Sequence, residues 1–156
     1  VGMGVLRDEA AVQAMSRSGD RREILRGPLF YGLVFVALTL IFWKESPAGM
    51  VALMMMCGGD GLADLVGRKY PLLRLPWSPK KSLGGSLAVF LGGLILSAFV
   101  LGVFCAVGVF NQTFLHYLPG LLIVALLGTL VESLPFADID NLTISAAAAV
   151  VGRLVF

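Results

Sequence analysis

Charge is scarce in this sequence. Of 156 residues only 14% are Asp, Glu, Lys or Arg, while 58% are hydrophobic, and the mean hydropathy is +0.90. A soluble domain is about a quarter charged and a little under half apolar, so a chain with all its surface in water is excluded. Cysteine is scarce too. Cys57 and Cys105 both stand in apolar runs; that spacing excludes a disulfide framework and a thiolate metal site, and leaves two small buried hydrophobes. The single histidine, His116, is expected on the face opposite every chemical candidate below, as an interfacial residue. There is no internal repeat, no low-complexity tract and no G-x-x-x-x-G-K-[ST] phosphate loop. The opening at Val1 is neither a signal nor a transit pattern, and the chain is expected to be the C-terminal part of a longer one with further spans upstream.

What is abundant is long apolar sequence, the mark of membrane spans. Five segments stand out. They run from Pro28 to Trp43, from Pro47 through Cys57 and a glycine-weakened stretch to about Val66, from Ser86 to Phe110, from Leu118 to about Leu134, and from Asn141 onward. The third is long enough to cross with some tilt, and the first and fifth are short. The expected fold is all-α, a polytopic transmembrane helical bundle. Residues 1–27 form a polar juxtamembrane segment, and 28–156 form one membrane domain with a polar working loop at 58–86. Ala146 to Ala149 and the glycines Gly92, Gly93 and Gly102 suit close helix packing.

Basic residues are unevenly placed. Arg17, Arg21, Arg22 and Arg26 precede the first span, and Arg68, Lys69, Arg74, Lys80 and Lys81 fall in the loop between the second and third. In so apolar a chain this is the positive-inside bias rather than a nucleic-acid footprint. Counting crossings puts both clusters, and the segment Phe136 to Asn141, on one face. That face is expected to be cytosolic or stromal, with Asn111 to Tyr117 opposite.

Three polar groups on that face could carry chemistry. Asp60 and Asp64, four apart, share one side of a helix. An unpaired carboxylate costs about 2.5–3.5 kcal/mol at the centre of a span, and two of them invite a cation. Mg²⁺ is usually held by one or two carboxylates together with substrate phosphates; the plain alternative is that both meet interfacial water or Arg68. Lys80, Lys81 and Ser82, followed by Gly84, Gly85 and Ser86 at a helix start, make a phosphate cradle or an ordinary basic loop on anionic lipid. Glu132 stands inside an apolar run, where an ionisable residue is a functional candidate by default. Asp138, Asp140 and Asn141 follow it, and the last two could equally cap the fifth helix.

These stretches resemble a known family. Gly58-Gly59-Asp60-Gly61-Leu62-Ala63-Asp64-Leu65-Val66-Gly67-Arg68-Lys69 is similar to the first motif of the polyprenol kinases. Leu75-Pro76-Trp77-Ser78-Pro79-Lys80-Lys81-Ser82-Leu83-Gly84-Gly85-Ser86 resembles the second. Val131-Glu132-Ser133-Leu134-Pro135 with Asp138 to Ile144 resembles the third. The lead-ins Glu23 to Tyr31 and Phe42 to Pro47 are similar to the plant and algal phytol and farnesol kinases. Pro71 stands where the family often has Gly, and Gly84 where dolichol kinase and many relatives have Glu; the second departure favours the phytol and farnesol branch.

The resemblance implies a membrane kinase that phosphorylates a long isoprenoid alcohol, with CTP as donor, in a chloroplast membrane. The matching residues would divide as follows. Asp60 and Asp64 would hold Mg²⁺. Arg68, Lys80, Lys81, Ser82, Gly61, Gly67 and Gly85 would serve the nucleotide phosphates, with Asn141 as a supporting ligand. Glu132 or Asp140 would orient or deprotonate the alcohol. Phosphatidate cytidylyltransferases share an aspartate–glycine segment and a Ser-Pro-Lys-Lys loop, but their later Lys-, Asp-, Gly- and His-rich signature is replaced here by Glu132-Ser133-Leu134-Pro135 and Asp140-Asn141. CDP-alcohol phosphotransferases need further aspartates downstream of Asp64 that this chain lacks. A transporter would show paired broken helices, and only one such segment is present.

Overall fold

A chain in lipid must satisfy its own backbone hydrogen bonds, and the helix is the local way to do so. The computed structural model describes residues 21–69, 73–135 and 140–156. Each apolar run has become a helix: α1 Arg21–Phe42, α2 Pro47–Met54, α3 Gly61–Lys69, α4 Leu83–Ala106, α5 Phe114–Glu132 and α6 Asp140–Val155. Between α2 and α3 the six residues Met55–Asp60 wind as a π-helical turn. The stretch Pro47–Gly67 is therefore one continuous apolar helix, as long as a span requires, as are α4 and α5. The apolar parts of α1 and α6, Leu29–Phe42 and Asn141–Val155, are shorter.

Local chemistry starts two of these helices. Ser46 is extended and accepts from Ala48 N at 3.3 Å, with Pro47 at the first helical position, where its missing N–H costs nothing. Ser82 likewise caps α4, accepting from Gly85 N at 3.1 Å, which satisfies one of the helix's orphan donors.

The loop between the second and third spans holds a feature that the sequence did not announce. Strand β1, Arg74–Leu75, pairs antiparallel with β2, Ser78–Ser82. Arg74 faces Ser82 and Leu75 faces Ser78, with an irregularity between them. Leu83 N donates to Leu73 O at 3.0 Å and closes the base of this hairpin.

The helices run alternately up and down. Gly58 meets Gly92 and Gly67 meets Gly85, so the π turn and α3 lie antiparallel to α4. Gly152 rests on Ala48, and Gly120 on Phe156. Tyr31 OH and Cys57 Sγ share a hydrogen bond of 2.6 Å that ties α1 to the π turn. One end of the bundle thus collects the start of α1, the end of α3, the hairpin, the start of α4, the end of α5 and the start of α6.

The core lies along α2, the π turn, α4, α5 and α6, with Val51, Met55, Met56, Val89, Leu101, Leu121, Val124 and Ile144 buried. Outward, Leu40, Ile41, Ile95, Phe99, Leu126 and Leu154 are exposed. A belt of large apolar side chains on every long helix is a surface for lipid.

Candidate functional site

The approach of the π turn and α3 to α4 sets the geometry. A Cβ on Gly92 would stand 2.6 Å from Gly58 O, and one on Gly58 would stand 2.8 Å from Gly92 O. Any side chain at either position would push the helices apart, so only glycine permits this backbone contact. Further along, a Cβ on Gly85 would lie 3.6 Å from Ala63 O and 3.8 Å from Gly67 Cα. The segment bearing Asp60 and Asp64 is thereby held against the first turns of α4. Asp60 closes the π turn and Asp64 lies one turn on, in α3. The side chains of Asp60, Asp64, Arg68, Lys80 and Asp140, and all of Asp138, lie outside the described residues.

On the other side of α4, the hairpin meets the end of α5. Lys81 Nζ stands 3.1 Å from Glu132 Oε1, with the two side chains only 12% and 10% exposed. Lys81 also donates to the main-chain oxygen of Glu132. Ser86 Oγ donates to the other carboxylate oxygen, Oε2, at 3.4 Å. One residue on, Trp77 Nε1 donates to Ser133 O at 3.2 Å. A helix ends with unsatisfied carbonyls and partial negative charge. Here an ammonium and an indole N–H from the hairpin meet that end.

The pairing explains how Glu132 can be buried. An isolated carboxylate in so dry a place is costly. With a cation on one oxygen and a hydroxyl on the other, its charge is compensated and its orientation held. Removing one member would strand the other.

Asn141 lies in the first turn of α6. Its Oδ1 is buried and has no hydrogen-bond partner among the described residues, while its main-chain oxygen accepts from Ser145 Oγ. Buried amide oxygens are rarely left unpaired.

Two expected site residues, Lys81 and Glu132, are therefore in direct contact. Ser82 is adjacent through the α4 cap. Gly67 and Gly85 hold α3 against α4, and the Gly85 N–H is already given to Ser82 Oγ. Gly61 is exposed on α3. Among the described residues no cluster of three or more His, Cys, Asp or Glu is assembled. Sequence reasoning missed Ser86 and Trp77 as partners of the α5 end. The signal for both lay within the Leu75 to Ser86 motif, which had been read for its lysines and glycines. His116 stands at the opposite end of α5, exposed, edge-on to Tyr117 with ring centroids 5.6 Å apart.

No protein-family model matches the chain, and no solved structure matches it. Curated relatives do. The chain is 44% identical over 157 aligned residues to a probable chloroplastic phytol kinase of Triticum aestivum, covering 99% of this chain and 52% of the relative. It is 36% identical to the chloroplastic phytol kinase 1 of Arabidopsis thaliana, with 99% and 52% covered. It is 39% identical to the chloroplastic farnesol kinase of the same plant, covering 100% of this chain and 51% of the relative. The chain spans about half the length of the curated relatives it matches, and across that half it is a homologue of the phytol and farnesol kinases, as its three motifs led one to expect.

Proposed function

We propose that this chain carries the catalytic face of a chloroplast membrane kinase that phosphorylates a long isoprenoid alcohol such as phytol, farnesol or geranylgeraniol. The names of the relatives support the reaction class, and the spans suit a lipid setting. The observation that carries the reading is the meeting of Lys81 and Glu132. A phosphate-binding cation and a proton-accepting carboxylate, drawn from two motifs, stand together at the end of the bundle that also receives the Asp60–Asp64 segment.

Phosphoryl transfer rests on positioning and charge neutralisation. In this reading CTP is the donor, and Lys80, Lys81 and Arg68 hold its phosphates. Asp60 and Asp64 supply hard oxygen donors of the kind Mg²⁺ takes, and a bound Mg²⁺ would neutralise charge on the phosphates. The alcohol oxygen attacks the terminal phosphorus. The bond from that phosphorus to the bridging oxygen breaks, and its electron pair leaves with the nucleoside diphosphate. The alcohol proton passes to the Glu132 carboxylate, which Ser86 keeps oriented, with Asp140 as the alternative acceptor. Asn141 Oδ1 accepts a hydrogen bond from the bound substrates. The alcohol's tail lies among the spans, so a water-soluble donor and a lipid-soluble acceptor meet at the membrane surface.

The test is a membrane assay that offers phytol, farnesol, geranylgeraniol or phosphatidate, each with CTP or ATP. An isoprenyl monophosphate and a nucleoside diphosphate are the expected products. Pyrophosphate and a CDP-lipid would assign the site to a cytidylyltransferase instead.

A further inference from the structure

Lys81 has two claims on it. Its ammonium offers three N–H donors, and in this structure Glu132 takes up two of them, through its carboxylate, at 3.1 Å, and its main-chain oxygen. A phosphate chain that takes Lys81 as its cation competes with the Glu132 carboxylate for the same charge.

The hairpin that carries Lys81 is weakly built. Strand β1 has two residues and its register against β2 is irregular. A lone two-stranded ribbon is marginal on its own. At its base Leu73 has φ 38°, a left-handed conformation costly for a branched side chain. The hairpin is seated on α5 by polar contacts to two consecutive residues, Lys81 to Glu132 and Trp77 to Ser133. Leu75 and Ser78 are buried while Trp77 is exposed, so the side of the hairpin that can open is the one carrying the Trp77 and Lys81 contacts.

We infer that the hairpin Arg74 to Ser82 is a latch operated by the donor's phosphates. The multiply charged phosphate chain draws Lys81 off Glu132. The Trp77 indole then leaves Ser133 O. The Glu132 carboxylate remains oriented by Ser86 and is open to the alcohol. Donor therefore binds before the base is exposed, and the closed state holds base and cation in mutual check. This inference rests on the kinase reading for the identity of the donor.

The chain has two tryptophans, Trp43 in the turn after α1 and Trp77 at the hairpin tip. In a background with Trp43→Phe and every tryptophan outside this chain likewise replaced by Phe, the indole emission reports the hairpin. The experiment uses the protein that carries this chain, in lipid nanodiscs. It is titrated with CTP and, separately, with inorganic triphosphate, each with Mg²⁺, while occupancy is measured by equilibrium dialysis. Trp77 emission should shift with occupancy for both probes, and Lys81→Met should abolish the shift. Glu132→Gln removes the charge that competes for Lys81, so the midpoint should fall about tenfold as the open fraction rises. A merely structural Glu132 would leave the midpoint unchanged or raise it.

Emission that stays flat at full occupancy overturns the latch, and so does a Glu132→Gln midpoint that does not fall. If Glu132→Gln fails to fold, the emission titration of the protein with Glu132 intact still decides. The kinase reading fails by a different sign, the absence of isoprenyl monophosphate, whatever Trp77 does.

Discussion

At the end of the bundle away from Glu132, aromatic rings close the structure. Phe104 and Phe110 stack with centroids 5.9 Å apart, Phe110 meets Tyr117 edge-on at 6.1 Å, and Tyr117 meets Phe156 edge-on at 6.0 Å. At the Glu132 end the closing contacts are polar: Lys81 and Ser86 on the two carboxylate oxygens, and Trp77 on Ser133 O. Ring packing is broad and forgiving, and each pair adds only about 0.5–1.5 kcal/mol beyond its buried area. A buried charge pair is directional, and it is costly when half of it is removed. One end is therefore closed by tolerant packing, and the other by directional contacts that are costly to break singly.

The sharpest break in this contrast comes from splitting the pair. Glu132→Leu or Lys81→Met alone should cost about 3–5 kcal/mol of stability, because each leaves an uncompensated buried charge. The double variant should recover most of that loss and none of the turnover. Unfolding in detergent micelles, run beside the product assay, checks both. A double variant no more stable than the single ones would show that the two charges are not a coupled unit.

Next in size, Asp60→Asn and Asp64→Asn should each lower turnover on the order of 10²–10³-fold, the scale of losing one fixed charge aimed at the transferring group. Protein level in the membrane should hold steady, and raised Mg²⁺ should restore part of the rate. Near-normal rates from both variants would move the catalytic acids to Glu132, Asp138 and Asp140. A smaller effect is expected from Ser86→Ala. Loss of a long hydrogen bond to a charged group costs about 1.5 kcal/mol, roughly tenfold in rate. It should be read in kcat, with donor KM little changed and Ser86→Thr restoring the rate. The smallest belongs to the aromatic end. Tyr117→Leu should lose about 1 kcal/mol of stability and leave turnover per folded molecule unchanged; a rate defect there would mean that the two ends are coupled.

The spans could be read along the chain because apolar runs are a local signal. The first described helix already includes Arg21, ahead of Pro28, since a helix continues past the apolar run that reveals it. The π turn was foreshadowed only as weakness at Gly58 and Gly59. Glycine lowers helix propensity, but the tight contact with Gly92 belongs to a neighbouring helix. The hairpin left no trace. Pro76, Pro79 and paired lysines show no strand alternation, and its seat is the end of α5.

Lys81 and Glu132 were both chosen from the sequence, for separate duties. Fifty-one positions separate them along the chain, and no pattern of composition or spacing could announce that they touch. Residue chemistry alone determined the greasy helical class, the approximate spans, the face on which polar motifs gather, and the residue types able to hold phosphate and move a proton. Tertiary structure alone decided which of those residues are partners. It seated the hairpin on α5, gave Ser86 and Trp77 their roles, and left Asn141 Oδ1 without a partner among the described residues. The physical reason is range. Hydropathy and capping act within a few turns of one helix, whereas a buried charge finds its counter-charge only once separate helices have packed.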